Sequence, residues 1–301
     1  MKDQVCRSII FPLAPAEAKR LIAKGVASLP VVKKAFAEGL IVIANGTTNA
    51  LVVEELLETS CPQIKYAAGV VTGAWLGETN MRDRHLPVVI ERGEAVPLEV
   101  REGQVYDART DEALVSPLGD FVARFKAGDV FVKGANAVDT ERTVGVLMGH
   151  DLGGSMGLTM GAIAARGCHL VVPVGLEKLV ESVPLAAKWC GQLRTTYSLG
   201  SPVGMFTVSD ASVVTEIEAL QSLFGVESRL VASGGVLGGE GATVFVSRGT
   251  DSQIRKLMHV LCEIKGEPAP EMEIEVTPAR MRMPEEWGRC VSLKEESNVA
   301  K

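Results

Sequence analysis

Hydrophobic and polar positions come in blocks along this chain, and the sharpest boundary between blocks falls within Leu40 to Leu57. The apolar run Leu40-Ile41-Val42-Ile43-Ala44 stops at Asn45-Gly46-Thr47-Thr48-Asn49, and apolar residues then recur at helical spacing. β-Branched residues over so short a length predict a buried strand. Thr48 or Asn49 is expected to supply the N-cap oxygen of the helix, with Glu54 and Glu55 on its outer face. A strand, a tight polar turn and a helix leave backbone N–H groups open at the helix start. Such a place suits a phosphate or carboxylate. The competing reading is an ordinary capped turn whose hydroxyls bind only backbone.

Similar punctuation recurs on both sides. Pro15 and Pro30 open two helices across 14–37, and Gly39 closes the second. Ile64 to Thr72 reads as a strand, followed by a polar loop from Glu78 to His85 that carries Arg82 and Arg84. Leu86 to Ile90 and Gln104 to Tyr106 read as a short antiparallel excursion. A helix is expected from Ser116 through Lys126, and a strand at Asp129 to Val132 that breaks at Lys133 to Asp139. Val144 to Met148 meets Gly149 to Gly157, and a helix of small residues runs on through Ala165. Cys168 to Val174 is a strand, and Leu176 to Val180 begins a helix. Strands alternating with helices predict an α/β fold, a mainly parallel sheet with helices on both faces.

The pattern changes at Leu199-Gly200-Ser201-Pro202. Strands at 203–208, 228–233, 242–248 and 272–277, with helices at 210–223 and 250–264, read as a ferredoxin-like βαββαβ domain. Gly234-Gly235 and Gly238 to Gly241 fall in its central hairpin connection. The expected division is therefore an α/β ligand-binding domain at 1–199, the ferredoxin-like domain at 200–278 and a C-terminal tail at 279–301.

Composition narrows the function classes. The net charge of −6 is spread rather than striped, and aromatic residues make up 5%. Both argue against nucleic acid as a partner. No apolar run approaches the length of a membrane span, and the N-terminus lacks a signal-type core. The six cysteines, at 6, 61, 168, 190, 262 and 290, form no CxxC pair. Reduced thiols in a cytoplasm are the expectation. No metal or other cofactor is implied, and a homo-oligomer is left open.

Three polar breaks each follow an apolar strand: Asn45 to Asn49, Lys133 to Asp139 and Gly149 to Gly157. In an open α/β sheet the carboxyl ends of parallel strands share one edge, where ligands bind. On that expectation Asn45, Gly46, Thr47, Thr48, Asn49, Gly134, Asn136, Gly153, Gly154 and Ser155 hold a small anionic metabolite. Lys133 supplies positive charge, and His150 and Asp151 transfer protons. Each has a plainer alternative: Lys133 snorkelling at a strand end, Asp139 capping the segment from Thr140, His150 facing solvent. No Walker, dinucleotide, nucleophile-elbow or zinc-protease motif is present.

The strand-turn-helix around Asn45 to Asn49, with Val53-Glu54-Glu55-Leu56, resembles the first turn of ribose-5-phosphate isomerase. Lys133 to Asp139 resembles that family's acidic DGADEVD segment, Gly149 to Gly157 takes the place of its glycine loop, and Gly175 to Val180 is similar to its DESKLV stretch. The resemblance covers roughly residues 38 to 181. It implies the fold group shared with glucosamine-phosphate isomerases and CoA transferases, and a phosphate-type turn. The departures fall on the chemistry. Lys133 and Asn136 replace acidic residues, the loop lysine has no match, and Leu158-Thr159-Met160-Gly161 replaces the expected glutamate. Isomerase activity is therefore not carried over. An enzyme, a sensor that kept the pocket, and acyl or CoA transfer are the rival functions. Glu240, the glycine-flanked glutamate considered for the last, sits in the hairpin.

Overall fold

The computed structural model describes residues 6–61, 71–72, 75–76, 86–269, 282 and 284. Strand β1 (Cys6–Leu13) leads into helices α1 (Pro15–Ser28) and α2 (Pro30–Glu38), each with proline in its first turn. Strand β2 (Leu40–Ile43) and helix α3 (Thr47–Leu57) follow, then the two-residue strands β3 (Val71–Thr72) and β4 (Trp75–Leu76). The excursion comprises β5 (Val88–Glu91), β6 (Glu94–Ala95), β7 (Leu98–Arg101), β8 (Gln104–Asp107) and β9 (Glu112–Leu114). Next come α4 (Pro117–Ala123), β10 (Val130–Val132), β11 (Ala137–Val138), β12 (Val144–Met148), α5 (Gly154–Arg166) and β13 (His169–Pro173). A single 3₁₀ turn (Leu176–Lys178) precedes α6 (Val183–Trp189). The chain continues through β14 (Gly204–Val208), β15 (Ser212–Val214), α7 (Glu216–Phe224), β16 (Glu227–Ser233), β17 (Thr243–Thr250) and α8 (Asp251–Ile264).

The central sheet has the order β15-β13-β10-β2-β5-β6. Its first four strands are mutually parallel, and β5 and β6 add antiparallel at one edge. It is thus a mixed sheet, parallel over four strands and antiparallel at one edge, where the hairpin after residue 86 folds back on β2. Every residue of β2 and β10 is buried. That pattern requires cover on both faces, as the unbroken apolar runs anticipated.

The C-terminal third pairs differently from a ferredoxin-like sheet. Strand β14 joins β12 in the antiparallel sheet β11-β12-β14, while β17 pairs with the N-terminal β1 on one side and with β16 on the other. Residues 212–214, read in sequence as helix, form β15 beside β13. Ser212-Val213-Val214 is β-branched enough for a strand, and the helix waits for the Thr215–Glu218 capping box. The expected strand 272–277 lies outside the described residues, as do Glu78, Arg82, Arg84, His85 and Cys290.

Two polar clusters fix the ends. Asp129 accepts from Leu40 N at 2.8 Å and Lys126 N at 2.6 Å, tying the amino ends of β2 and β10. Arg166, at the end of α5, donates to Phe125 O at 3.0 Å on that same side. Helix α5 therefore starts at the opposite, carboxyl edge, as a crossover between parallel strands requires. On the helical layer, Arg20 of α1 reaches Glu54 at 2.7 Å, Glu55 at 3.1 Å and Glu267 at 2.8 Å. Glu54 and Glu55 are consequently not on the outer face of α3. They are its link to α1.

Candidate functional site

The turn after β2 locks before the helix begins. Ala44 N donates to Val132 O at 2.9 Å, and Ala50 N to Gly46 O at 2.9 Å, so Gly46 is the N-cap. Neither Thr48 nor Asn49 caps the helix, because both lie inside its first turn. Asn49 is fully buried and donates its Nδ2 to Ala44 O at 2.6 Å, folding back over the turn. Its Oδ1 has no donor. Among the described residues the N–H groups of Thr47, Thr48 and Asn49 meet no acceptor. Asn45 steadies the turn from outside by donating to Leu86 O at 3.3 Å.

Lys133 sits at the carboxyl end of the neighbouring strand. Its N–H donates to Val171 O at 3.0 Å, which holds its backbone between β2 and β13. A Cβ built on Gly134 would stand 3.9 Å from Asn49 Oδ1, so the two loops are adjacent. The Lys133 ammonium has no hydrogen bond or ion pair among the described residues. Burial, helped by the positive charge of Lys178, pushes it down to about 8. Lys133 as a residue is partly exposed, and it is the protein packed around its side chain that lowers the ammonium.

Beyond β13 the chain adds groups the sequence reading did not select. Lys178 Nζ donates to Ala135 O at 3.0 Å and lies 4.0 Å from Glu177 Oε1. Glu177 Oε2 is buried without a donor. Gly175 makes room for this carboxyl: a Cβ there would come within bonding range of Glu177 Oε2. Glu216, at the start of α7, is fully buried and accepts from Leu176 N at 2.9 Å and 3.2 Å. Burial and the charge of Glu177 push its carboxyl up to about 8. Lys19 of α1 completes the cluster, its ammonium lowered by burial and by Lys178. The one available signal was a glutamate and a lysine just past the strand-ending Gly175.

The third break behaves in part as expected. Strand β12 belongs to the antiparallel β11-β12-β14 sheet, not to the central one, because β11 and β12 form a hairpin after β10. Its register still returns the chain to the carboxyl edge, where α5 starts. Gly153 caps α5 with φ 80°, a left-handed conformation that glycine adopts without strain. The N–H groups of Gly154 and Ser155 have no acceptor among the described residues. His150 and Asp151 are exposed. His150 Nδ1 accepts from Leu152 N at 3.1 Å, which occupies one ring nitrogen in a turn. Asn136 closes the hairpin, its Oδ1 accepting from Leu147 N at 3.0 Å. Asp139 accepts from Glu141, Thr143 and Val183 N–H, a structural role.

The edge thus gathers open helix-start amides, the unpaired Lys133 amine, the buried Glu216 carboxyl and the partly exposed Glu177 carboxyl. Among the described residues no group of three metal-ligating side chains is assembled, and no helix is long and apolar enough to cross a membrane. No family model, curated protein or solved structure matches the chain.

Proposed function

We propose that the protein binds a small anionic metabolite at the carboxyl edge of the central sheet, with phosphate or carboxylate against the first turn of α3. The observation that carries this reading is Lys133, a lysine with no counter-ion among the described residues, one strand over from the unoccupied helix-start amides of α3. An anion there satisfies both at once. The start of α5, at Gly153 to Ser155, offers a second set of amides on the same edge. Glu177 and Glu216 provide the carboxyls that positions 133 and 136 lack, which supports an enzyme of isomerase-like or transferase-like type. The resemblance to the sugar-phosphate isomerase group fits this placement. Free thiols at Cys6, Cys61, Cys168, Cys190 and Cys262 fit a reducing cytoplasm.

The exposure of His150 and Asp151 favours a second reading, a sensor that binds without turnover. Thermal unfolding with inorganic phosphate, pyrophosphate and sugar phosphates tests the binding common to both. A ligand at a hundred times its Kd adds about 2.7 kcal/mol of stability. Thr48→Val, which removes a hydroxyl without a partner, is expected to weaken that shift while leaving the unliganded fold intact. No shift with any anion refutes the proposal. Turnover that survives His150→Ala but is lost in Glu177→Gln selects the enzyme.

A further inference from the structure

We propose that Lys133 forms an imine with the carbonyl carbon of a phosphorylated aldehyde or ketone whose phosphate rests on the first turn of α3. This rests on the anion-binding reading above and names the class of substrate. Three observations converge. The Lys133 amine has no partner among the described residues, so nothing has to be displaced before it reacts. Its backbone is held by the bond to Val171, and the neighbouring loop by Ala44 N to Val132 O, which fixes the origin of the lysine side chain relative to the turn before α3. Asn49 Oδ1 is a fully buried acceptor without a donor, next to Gly134. It calls for a ligand that brings an O–H, and an anion alone does not.

The chemistry balances without a redox partner. The lone pair of the neutral amine attacks the carbonyl carbon, a C–N bond forms, and the C=O pair moves to oxygen, which takes a proton. Nitrogen then releases a proton, the hydroxyl is protonated and leaves as water, and C=N forms. The carbinolamine hydroxyl is a donor suited to Asn49 Oδ1. Glu177, whose Oε1 lies 4.0 Å from Lys178 Nζ, joins this edge through Lys178, the lysine that also lowers Lys133, and solvent carries the protons of the addition and dehydration. An amine lowered to about 8 is unprotonated in about a tenth of molecules at pH 7, against well under a thousandth for an ordinary lysine. Repulsion from Lys178 helps maintain that fraction.

The test uses the full chain with glycolaldehyde phosphate, with glycolaldehyde as the uncharged control, and borohydride to reduce the imine. Peptide mapping is expected to find the adduct on Lys133, at about tenfold higher yield with the phosphorylated probe. Lys133→Met and Lys133→Arg should both lose it while retaining a cooperative melting transition. Adducts scattered over surface lysines, or an undiminished adduct in both variants, overturn the proposal. The wild-type map decides even if neither variant folds. If phosphate raises the melting point but Lys133 stays unlabelled, the imine fails and the anion site stands. If Lys133 is labelled equally by both probes and phosphate shifts nothing, the amine is reactive but the anion site is wrong, and the proposal falls with it.

Discussion

Replacing Glu216 with glutamine tests whether the carboxyl edge carries a buried acid held in its neutral form. Glu216 is fully buried, and its two oxygens face the Leu176 N–H. Its carboxyl is raised from the ordinary 4.5 to about 8 by burial first and by Glu177 second. Each pH unit is worth about 1.4 kcal/mol, so the ionised form is disfavoured by about 5 kcal/mol in the folded state. The sign follows from proton counting. Between 4.5 and 8 the folded chain holds a proton that the unfolded chain releases, so this group makes stability fall as pH rises. Below 4.5 the penalty is absent, and above 8 it is complete. Glu216→Gln keeps the shape and an oxygen for Leu176 N–H but cannot ionise. Any fixed difference between an amide and a carboxylic acid is independent of pH and cancels. The stability gap between variant and wild type should therefore widen, in favour of glutamine, by about 4 kcal/mol from pH 5 to pH 9. Urea unfolding at pH 5, 7 and 9, followed by circular dichroism, measures it. A gap that stays constant across that range refutes the reasoning.

Lys133→Met should stabilise the fold at pH 7 by up to about 3 kcal/mol, because an amine lowered to about 8 penalises the folded state below that pH. The penalty fades as pH rises from 8 toward 10.5, so the gain should shrink in urea titrations at pH 10. Arg20→Ala should lower stability by about 2 kcal/mol, since it leaves Glu54, Glu55 and Glu267 facing one another between α1 and its neighbours. High salt should reduce that loss. Asp139→Ala strips the acceptor from three N–H groups and should cost about 3 kcal/mol by the same measurement. Asp139→Asn, which keeps one acceptor oxygen, should lose less.

Local elements were legible in the chain because their signals are local. The apolar run at 40–43, the polar stop at Asn45 to Asn49 and the proline-opened helices at 15 and 30 all act over a few residues. The turn and Lys133 were identified as neighbours because parallel strands share an edge, and the register between Ile43 and Val132 brings them together. The N-cap was misjudged by two to three residues, since either oxygen was chemically able to cap. Burial drew Asn49 onto Ala44 O instead.

What only the tertiary structure decided was pairing and proximity. Leu176 to Val180 looked like the start of a helix, yet Leu179 bridges to Val138 and the helix stops after one turn. Strand β14 carries nothing in its own composition that selects β12 over β16, because strand pairing is chosen by burial and loop closure across the whole chain. Lys19, Glu177, Lys178 and Glu216 are scattered over almost two hundred positions and looked like ordinary charged residues. Folding brings them to one edge beside Lys133, and loss of water there gives Glu216 and Lys133 values near neutrality. Periodicity fixes which face a residue takes, and desolvation, which depends on everything packed around it, fixes what its proton does.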